Sequence, residues 1–523
     1  MKIDVVLTLA ATAALVAGMS QATTQGARPP SEPQVLLCYA KKTAATAGTA
    51  KLFKTSAVDR NLDKGNCRVP DGSEAGDACT RTDPDGDDVC GTDGMTCGDG
   101  HGPGGIDNPC ACGDTVATDT TLDAGFDPVA GSACTGNGLI VGAGVRLDLG
   151  TTTLTGSDNG NGLRIAQGGE AIGGTVAGFG TGIRIVDTTP GTTSRVANTI
   201  VEGNANDGVV VDLADATSRA HLENLVVRGN GDDGIHALGG PGISNLDVSG
   251  DTFTPDGYGL VISGTDTQVA NNGAHGLHFG DPAQARDLAV FVDLGEIQGN
   301  VGSGVRVEQK TGLGAGADCG ASANWPGCTG VTLHGLTVHD NGAAGVSFTT
   351  SFLIPMRIGE TEYGLGFLSN KVFHNAMGPG CSAVQTQPQI LVTGPVGLGQ
   401  ATCAGFDETA CEADAIDRHC FWTGSTCVVV WDLRGARDCN DNTAQPNQIH
   451  SYNTNTDPVG SSELSVGMYA RVGDGGLGAD IWADNNSWRT GDEAQNVDQD
   501  ASSFIDADTI CPAGGILLQC SSQ

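Results

Sequence analysis

Short apolar stretches that alternate with polar positions, most of them entered through a glycine, recur along most of this chain. In Val145-Arg146-Leu147-Asp148-Leu149 the aliphatic residues point one way and the charges the other. That period of two marks a half-buried β-strand. Five segments share a fixed turn, Asn-x-x-x-Gly, followed by such a strand. They are Asn204–Gly208, Asn230–Gly234, Asn272–Gly276, Asn300–Gly304 and Asn341–Gly345, leading into VVVD, IHAL, LHF, VRV and VSF. Looser relatives precede them at Gly138-Leu139-Ile140-Val141, Gly162-Leu163-Arg164-Ile165 and Gly182-Ile183-Arg184-Ile185. The glycines step by 24, 20, 26 and 26 residues from Gly138 to Gly234, and by 28 from Gly276 to Gly304. The longer span from Gly234 to Gly276 has room for an extra coil ending in Tyr258-Gly259-Leu260-Val261-Ile262.

No strand of this length buries a face alone. Stacking successive coils pairs each backbone with its neighbours and buries a continuous Val, Ile and Leu column, the economy of a solenoid. Glycine supplies either a positive φ or room for close packing, and asparagine satisfies turn backbone and bonds from rung to rung. Ankyrin and leucine-rich repeats require a helical half or a leucine consensus that these units lack. A β-sandwich does not repeat one turn in constant register. The pattern therefore predicts an all-β, right-handed parallel β-helix.

Composition agrees with many turns: 81 glycines, only 4% aromatic residues, and no three-residue glycine period of the collagen kind. The net charge of −35, with no Lys between Lys64 and Lys310, disfavours nucleic acid and anionic membrane as partners. Residues 1–22 read as a secretory signal, with Lys2, the apolar run Val5–Met19 and the small-residue site Ser20-Gln21-Ala22. That run is short for a membrane span, and no later segment is apolar enough, so no membrane insertion is expected once the signal is removed. The 18 cysteines lie outside the signal and lack CxxC pairs, which predicts disulfides rather than zinc, with connectivity unreadable from spacing. Export to the periplasm, surface or medium of a bacterium is expected.

The residues Cys112-Gly113-Asp114-Thr115, Gly138-Leu139-Ile140-Val141 and Val145–Leu149 resemble the entry coil of bacterial right-handed parallel β-helix repeat proteins of the pectin-lyase-like superfamily. Ser465–Met468 with Ala483–Trp488 resembles a closing coil. The resemblance covers roughly 112–380 and 441–490 and implies the fold. Its members include lyases, hydrolases, epimerases and adhesins, so it does not settle activity.

Around this core the composition changes in blocks. Residues 23–70 read as an N-terminal β segment or cap. Residues 71–113 are acidic and Cys-rich, and Asp83, Asp85, Asp87 and Asp93 sit on a glycine-containing loop that suits Ca2+. That loop resembles the DxDxD loops of thrombospondin type 3 repeats, but with Gly86 between Asp85 and Asp87; a solvated acidic linker is the alternative. The β-helix is assigned to 114–380, a Cys-rich insertion to 381–440, last coils to 441–508, and a disulfide-bearing tail to 509–523.

Aligning the five turns on their glycine places Asp207, Asp233, His275, Ser303 and Ala344 in one column, with Asp232 beside Asp233. In-register stacking puts Asp207 and Asp233 one rung apart and His275 one or two rungs beyond. Adjacent carboxylates split into a protonated acid and an ionised base, the pair glycoside hydrolysis needs. Polygalacturonases carry Asn-x-Asp, Asp-Asp, Gly-His-Gly and Arg-x-Lys on successive coils. Here Asp232-Asp233 matches the pair, Ala274-His275-Gly276 matches two of three, and Arg306 is the nearest basic residue. Ser303 and Ala344 in the same column speak for ordinary turn residues, and His236, His278, His334 and His339 read as strand or turn positions. The favoured reading is a non-catalytic protein that binds polysaccharide or cell-surface glycan along its side. A polysaccharide hydrolase or lyase using Asp207, Asp232, Asp233 and His275 is the alternative, and a structural spacer or adhesin the third.

Overall fold

The computed structural model describes residues 96–98, 109–123, 127–187, 191–213, 218–239, 259–280, 288–308, 329–349, 366–376, 387–394 and 447–450. Beyond these it describes 37–40, 52–54, 65–68, 352–353, 357–358, 361–362, 407–414, 420–422, 427–429, 431–433, 468–471, 480–482, 487–488, 497–499 and 504–506. The signal segment, the Asp83–Asp93 loop and the tail at 509–523 lie outside the described residues.

The main body is the right-handed parallel β-helix that the repeat predicts. One coil runs through Thr193–Ala197, Ile200–Glu202 and Val209–Leu213, and the next through Arg219–Glu223, Val226–Arg228 and Ile235–Gly239. Every strand pairs in parallel with its counterpart one coil away, as in Val196↔Leu222, Val201↔Val227 and Val209↔Ile235. The first two strands of each coil belong to one large sheet that bends between them. Asn198 and Asn224 make the bend at φ of 53° and 50°, where glycine or asparagine is least strained. In later coils Leu288–Gln298 and Thr329–His339 run through the same bend unbroken, on Gly295 and Gly335.

The third strand of each coil forms the sheet that carries the candidate site. Its inward column runs Ile183, Val209, Ile235, Leu277, Val305, Val346 and Ile390, all no more than 1% exposed. Two positions on, Ile185, Val211, Ala237, Phe279, Val307, Phe348 and Val392 form a second buried column. At about 25 cal/mol per Å2, this continuous apolar burial is the main stabilising term.

Two devices keep the coils in register. The motif asparagines form a buried ladder in which the Oδ1 of Asn230, Asn272, Asn300 and Asn341 each accepts two N–H groups from the preceding rung, one from backbone and one from the neighbouring side-chain amide, while Asn204 Oδ1 accepts the Phe179 N–H. Asn230 donates in this way to Asn272 at 3.2 and 2.9 Å, and Asn272 to Asn300 at 3.0 and 2.9 Å. The ladder extends past the five motifs through Asn375 to Gln389. The motif glycines answer the choice left open by their spacing. Gly208, Gly234, Gly276, Gly304 and Gly345 do not take positive φ; they are there for close approach. A Cβ on Gly276 would lie 2.6 Å from both Gly304 O and Ile297 Cγ2.

Three sequence expectations are corrected. Ile235 pairs directly with Leu277, while Leu260–Ser263 stacks on Ala220–Glu223 in the large sheet. The Gly234–Gly276 span is thus a single coil. Ile390–Thr393 pairs with Val346–Thr349 and Met468–Arg471, so it is a rung, not part of the 381–440 insertion. Within that insertion lie the helix Glu408–Asp414 and the hairpin Cys420–Trp422/Cys427–Val429, tied by Cys411–Cys427. At the other end Thr96–Cys97 already pairs with Thr115–Val116, ahead of the expected start at 114. The disulfides Cys97–Cys110 and Cys112–Cys134 bind these first coils. A separate three-stranded antiparallel sheet comprises Leu37–Ala40, Leu52–Lys54 and Gly65–Arg68. Among the described residues no helix is long and apolar enough to cross a membrane.

Gly276→Ala is expected to force neighbouring rungs apart and to lower stability by about 1–3 kcal/mol, the usual range for overpacking. Ala274→Gly, outside the contact column, serves as control. Equal unfolding midpoints for wild type and Gly276→Ala in a denaturant titration would contradict the close-approach account.

Candidate active site

Lockstep stacking brings the four sequence-selected residues together. Asp207, Asp233 and His275 each precede their motif glycine, so they stand one above another on consecutive coils. Each side chain accepts the backbone N–H of the next member. Asp233 N–H donates to Asp207 Oδ1 at 3.1 Å, His275 N–H to Asp233 Oδ1 at 2.8 Å, and Ser303 N–H to His275 Nδ1 at 2.9 Å. Asp232, beside Asp233, is exposed. Carboxylate oxygens of Asp207, Asp232 and Asp233 lie within 4.8 Å of one another.

The structure adds residues that sequence reasoning read as ordinary strand positions. The outward column of the third sheet runs His236↔His278↔Arg306, placing two imidazoles and a guanidinium beside the turn column. His236 and His278 stack with centroids 4.4 Å apart. His278 Nδ1 is 2.7 Å from Asp233 Oδ2, and its Nε2 is 2.9 Å from Glu308 Oε1. Arg306 donates to Glu308 Oε2 from Nε at 2.8 Å and from Nη2 at 2.6 Å. The signal was present in the strings GIH, GLH and GVRVE: two residues past each motif glycine is an outward position on this sheet, and Glu308 lies two further along.

The protonation states follow from these partners. Both ring nitrogens of His278 face carboxylates, so both donate and the ring is an imidazolium. Burial alone would lower its pKa, but the hydrogen bonds it donates to Asp233 and Glu308 outweigh that and raise it to about 9. Asp233, only 4% exposed, would be pushed up by burial; the hydrogen bond and charge of His278 and the N–H of His275 hold it below its usual range instead. Glu308 is likewise held low by His278 and Arg306 against the effect of burial. Asp232 shifts upward, through desolvation first and then through the charges of Asp233 and Asp207. His275 is pushed down to about 4 by burial together with the positive charges of His278 and Arg306. Because His275 Nδ1 accepts from Ser303, its proton resides on Nε2, which faces Arg306 Nη1 at 3.2 Å. A second ring proton would have to sit on Nδ1, against the Ser303 N–H, and is disfavoured.

Two trios offer ligand atoms within 4.8 Å of one another, Asp207–Asp232–Asp233 and Asp233–His236–His278. In the second, both nitrogens of His278 are engaged with carboxylates. His236 Nε2 is buried and has no hydrogen-bond partner among the described residues. On the same sheet Arg184 donates to Asp212 at 3.0 Å and Arg306 to Glu308, whereas Arg164, one rung before Arg184 in the outward column, is exposed.

No family model and no curated protein matches this chain. Among solved structures it is similar to the A-module of mannuronan C-5 epimerase AlgE4 of Azotobacter vinelandii, with 14% identity over 81% of this chain and 87% of that one, and a TM-score of 0.32. The AlgE6 A-module of the same organism gives 12% identity, 77% and 84% coverage, and a TM-score of 0.27. A DFA-IIIase variant from Arthrobacter chlorophenolicus A6, in complex with DFA-III, gives 11%, 76%, 67% and 0.20. Similarity at this level carries no argument about chemistry, which rests on the site itself.

The two histidines make opposite predictions about stability. His278 has a folded pKa of about 9 against an ordinary 6.5, so its stabilisation is complete below pH 6.5 and is lost as pH rises through 9. His275, at about 4, does the reverse: stability is lost as pH falls from 6.5 toward 4, because the unfolded chain takes up that proton first. Denaturation midpoints across this range should therefore fall on both sides of pH 6.5. His278→Gln should reduce the alkaline fall alone, leaving the part due to His339, whose pKa is raised against burial by its hydrogen bonds to Asp340 and Glu296. An alkaline fall of equal size in that variant would remove the imidazolium assignment.

Proposed function

We propose that this protein is an exported polysaccharide-cleaving enzyme whose centre is the Asp207–Asp232–Asp233 cluster with His275. One observation carries the reading: three carboxylates from two adjacent coils lie within 4.8 Å, one buried and held ionised, one exposed and pushed toward protonation. That asymmetry is what acid–base cleavage of a glycosidic bond requires. Asp232 gives its proton to the leaving glycosidic oxygen as the bond to the anomeric carbon breaks. Asp207, whose Oδ2 is free of the ladder bond that Oδ1 accepts from the Asp233 N–H, attacks that carbon, because a separation within 4.8 Å leaves no room for water between the carboxylates. Water then displaces Asp207 from the glycosyl-enzyme and gives its proton back to Asp232. Asp233 is engaged through both oxygens and supplies a fixed negative charge rather than a base. The expected substrate is a polysaccharide without carboxylates, since Arg184 and Arg306, the arginines of the outward column nearest the cluster, are paired with Asp212 and Glu308, and the exposed Arg164 stands three rungs before His236.

One observation favours the second reading, glycan binding without catalysis. Asp207, Asp233 and His275 all accept backbone N–H groups from the next rung, which gives each a structural reason to be there. The readings separate on a panel of neutral polysaccharides and polygalacturonate, assayed for new reducing ends and for unsaturated uronate absorbance. The enzyme reading expects reducing ends from a neutral polymer and a loss of about 100-fold or more in Asp232→Asn, the usual weight of a general acid. Glycan-array binding with no cleavage of any polymer would sink the enzyme reading and leave the binding one.

A further inference from the structure

The hydrogen bonds of His278 and Glu308 go to Asp233, to each other and to Arg306, not to Asp232. Instead they build an uninterrupted chain, Asp233–His278–Glu308–Arg306, that begins on the turn of one coil, crosses the strand of the next, and ends on the strand after that. Charge alternates along it. Glu308 is 5% exposed and Asp233 4%, so neither carboxylate can be left unpaired without a large desolvation penalty. The groups facing His278 are Asp233 from the preceding turn, His236 stacked on one side, His275 edge-on at 5.4 Å, and Glu308 with Arg306 from the following strand.

We infer that His278 and Glu308 are positioning residues for this site: the imidazolium clamped between two buried carboxylates fixes Asp233 against the sheet, and so governs how its chain neighbour Asp232 is presented and charged. The inference rests on the proposed cleavage chemistry for its kinetic consequence, but not for its physical one. With the clamp intact, Asp233 stays ionised, and desolvation first and then the Asp233 charge push Asp232 upward. Remove the imidazolium and Asp233 Oδ1 keeps the His275 N–H, while Oδ2 is left with His236 Nδ1 at 3.7 Å, a partner that is charged only if protonated. The buried carboxylate then becomes the group that takes up a proton, and Asp232 loses both the Asp233 charge that raises it and the smaller His278 charge that lowers it, so its net shift is downward. The pair exchanges roles, and the acid is lost from the exposed position. Glu308 acts one step further back. Its removal leaves the ring with a single anionic partner, so a weaker form of the same change follows.

The test uses His278→Gln and Glu308→Gln in the full chain, with two readouts. In carbon-detected NMR of the carboxylates, the Asp232 titration midpoint is expected to fall in His278→Gln and to fall less in Glu308→Gln. In the cleavage assay, kcat is expected to drop about tenfold or more in His278→Gln, with KM within about twofold and the alkaline limb of the pH profile moved toward acid. Where His278→Gln does not fold, Glu308→Gln, which keeps a hydrogen-bond acceptor for Nε2, carries the test alone. Should the wild type cleave nothing, the enzyme reading fails while the NMR titration still decides this inference. An Asp232 midpoint unchanged in a folded variant overturns it, as does a variant that loses only thermal stability and keeps the wild-type pH profile.

Discussion

Everything in this molecule depends on how closely one coil sits on the next. At the motif glycines a carbonyl oxygen of the following rung occupies the space a Cβ would need, 2.7 Å away at Gly208 and 2.6 Å at Gly234 and Gly276. Beside that contact the asparagine ladder closes a buried row of amides in which each oxygen from Asn230 to Asn341 takes two donors. A slip of one residue would place a side chain where only hydrogen fits and orphan several buried polar groups at once. Register is therefore enforced by sterics and by hydrogen-bond satisfaction together, and the aliphatic columns follow.

The same constraint builds the candidate site. A column is a one-dimensional array at the rung spacing of about 4.8 Å, so chemistry in such a fold is written by changing single residues at equivalent places on consecutive coils. In the turn column the sequence Asp207, Asp233, His275, Ser303 moves from two carboxylates through an imidazole to a hydroxyl. In the adjacent strand column Val210, His236, His278 and Arg306 move from apolar to cationic. The two gradients cross at Asp233 and His278, and the strongest charge coupling is found there. Structural and chemical roles coincide in the turn column, because a carboxylate that caps the next rung's N–H is also held rigidly.

The ion pairs elsewhere show what the repeat does without such a crossing. On the large sheet Arg195 lies between Glu170 and Glu223 from the coils on either side, an alternating ladder with acids flanking one guanidinium. That ladder matches each charge with its opposite on a partly exposed face, where such pairs contribute little each. The candidate site instead concentrates three acids around two coils and balances them from one side only, through His278 and Arg306.

How much of this was legible before the fold was known differs residue by residue. The glycine and asparagine spacing reported stacked coils directly, since it encodes a steric and a hydrogen-bonding requirement local to each turn. It also put Asp207, Asp232, Asp233 and His275 in neighbouring places, because equal offsets from a repeated turn become equal positions in space. It misplaced the Gly234–Gly276 span, whose strands pair as one coil, and it took Ile390–Thr393 for insertion because no motif glycine marks that strand. It passed over His236, His278 and Glu308, since an outward strand residue acquires meaning only from what the adjacent coils set beside it. The chain by itself determined which residues repeat. Which of them carry charge, and which are forced neutral, was decided by tertiary burial and by partners 30 to 45 positions away in sequence, contacts that no local pattern records.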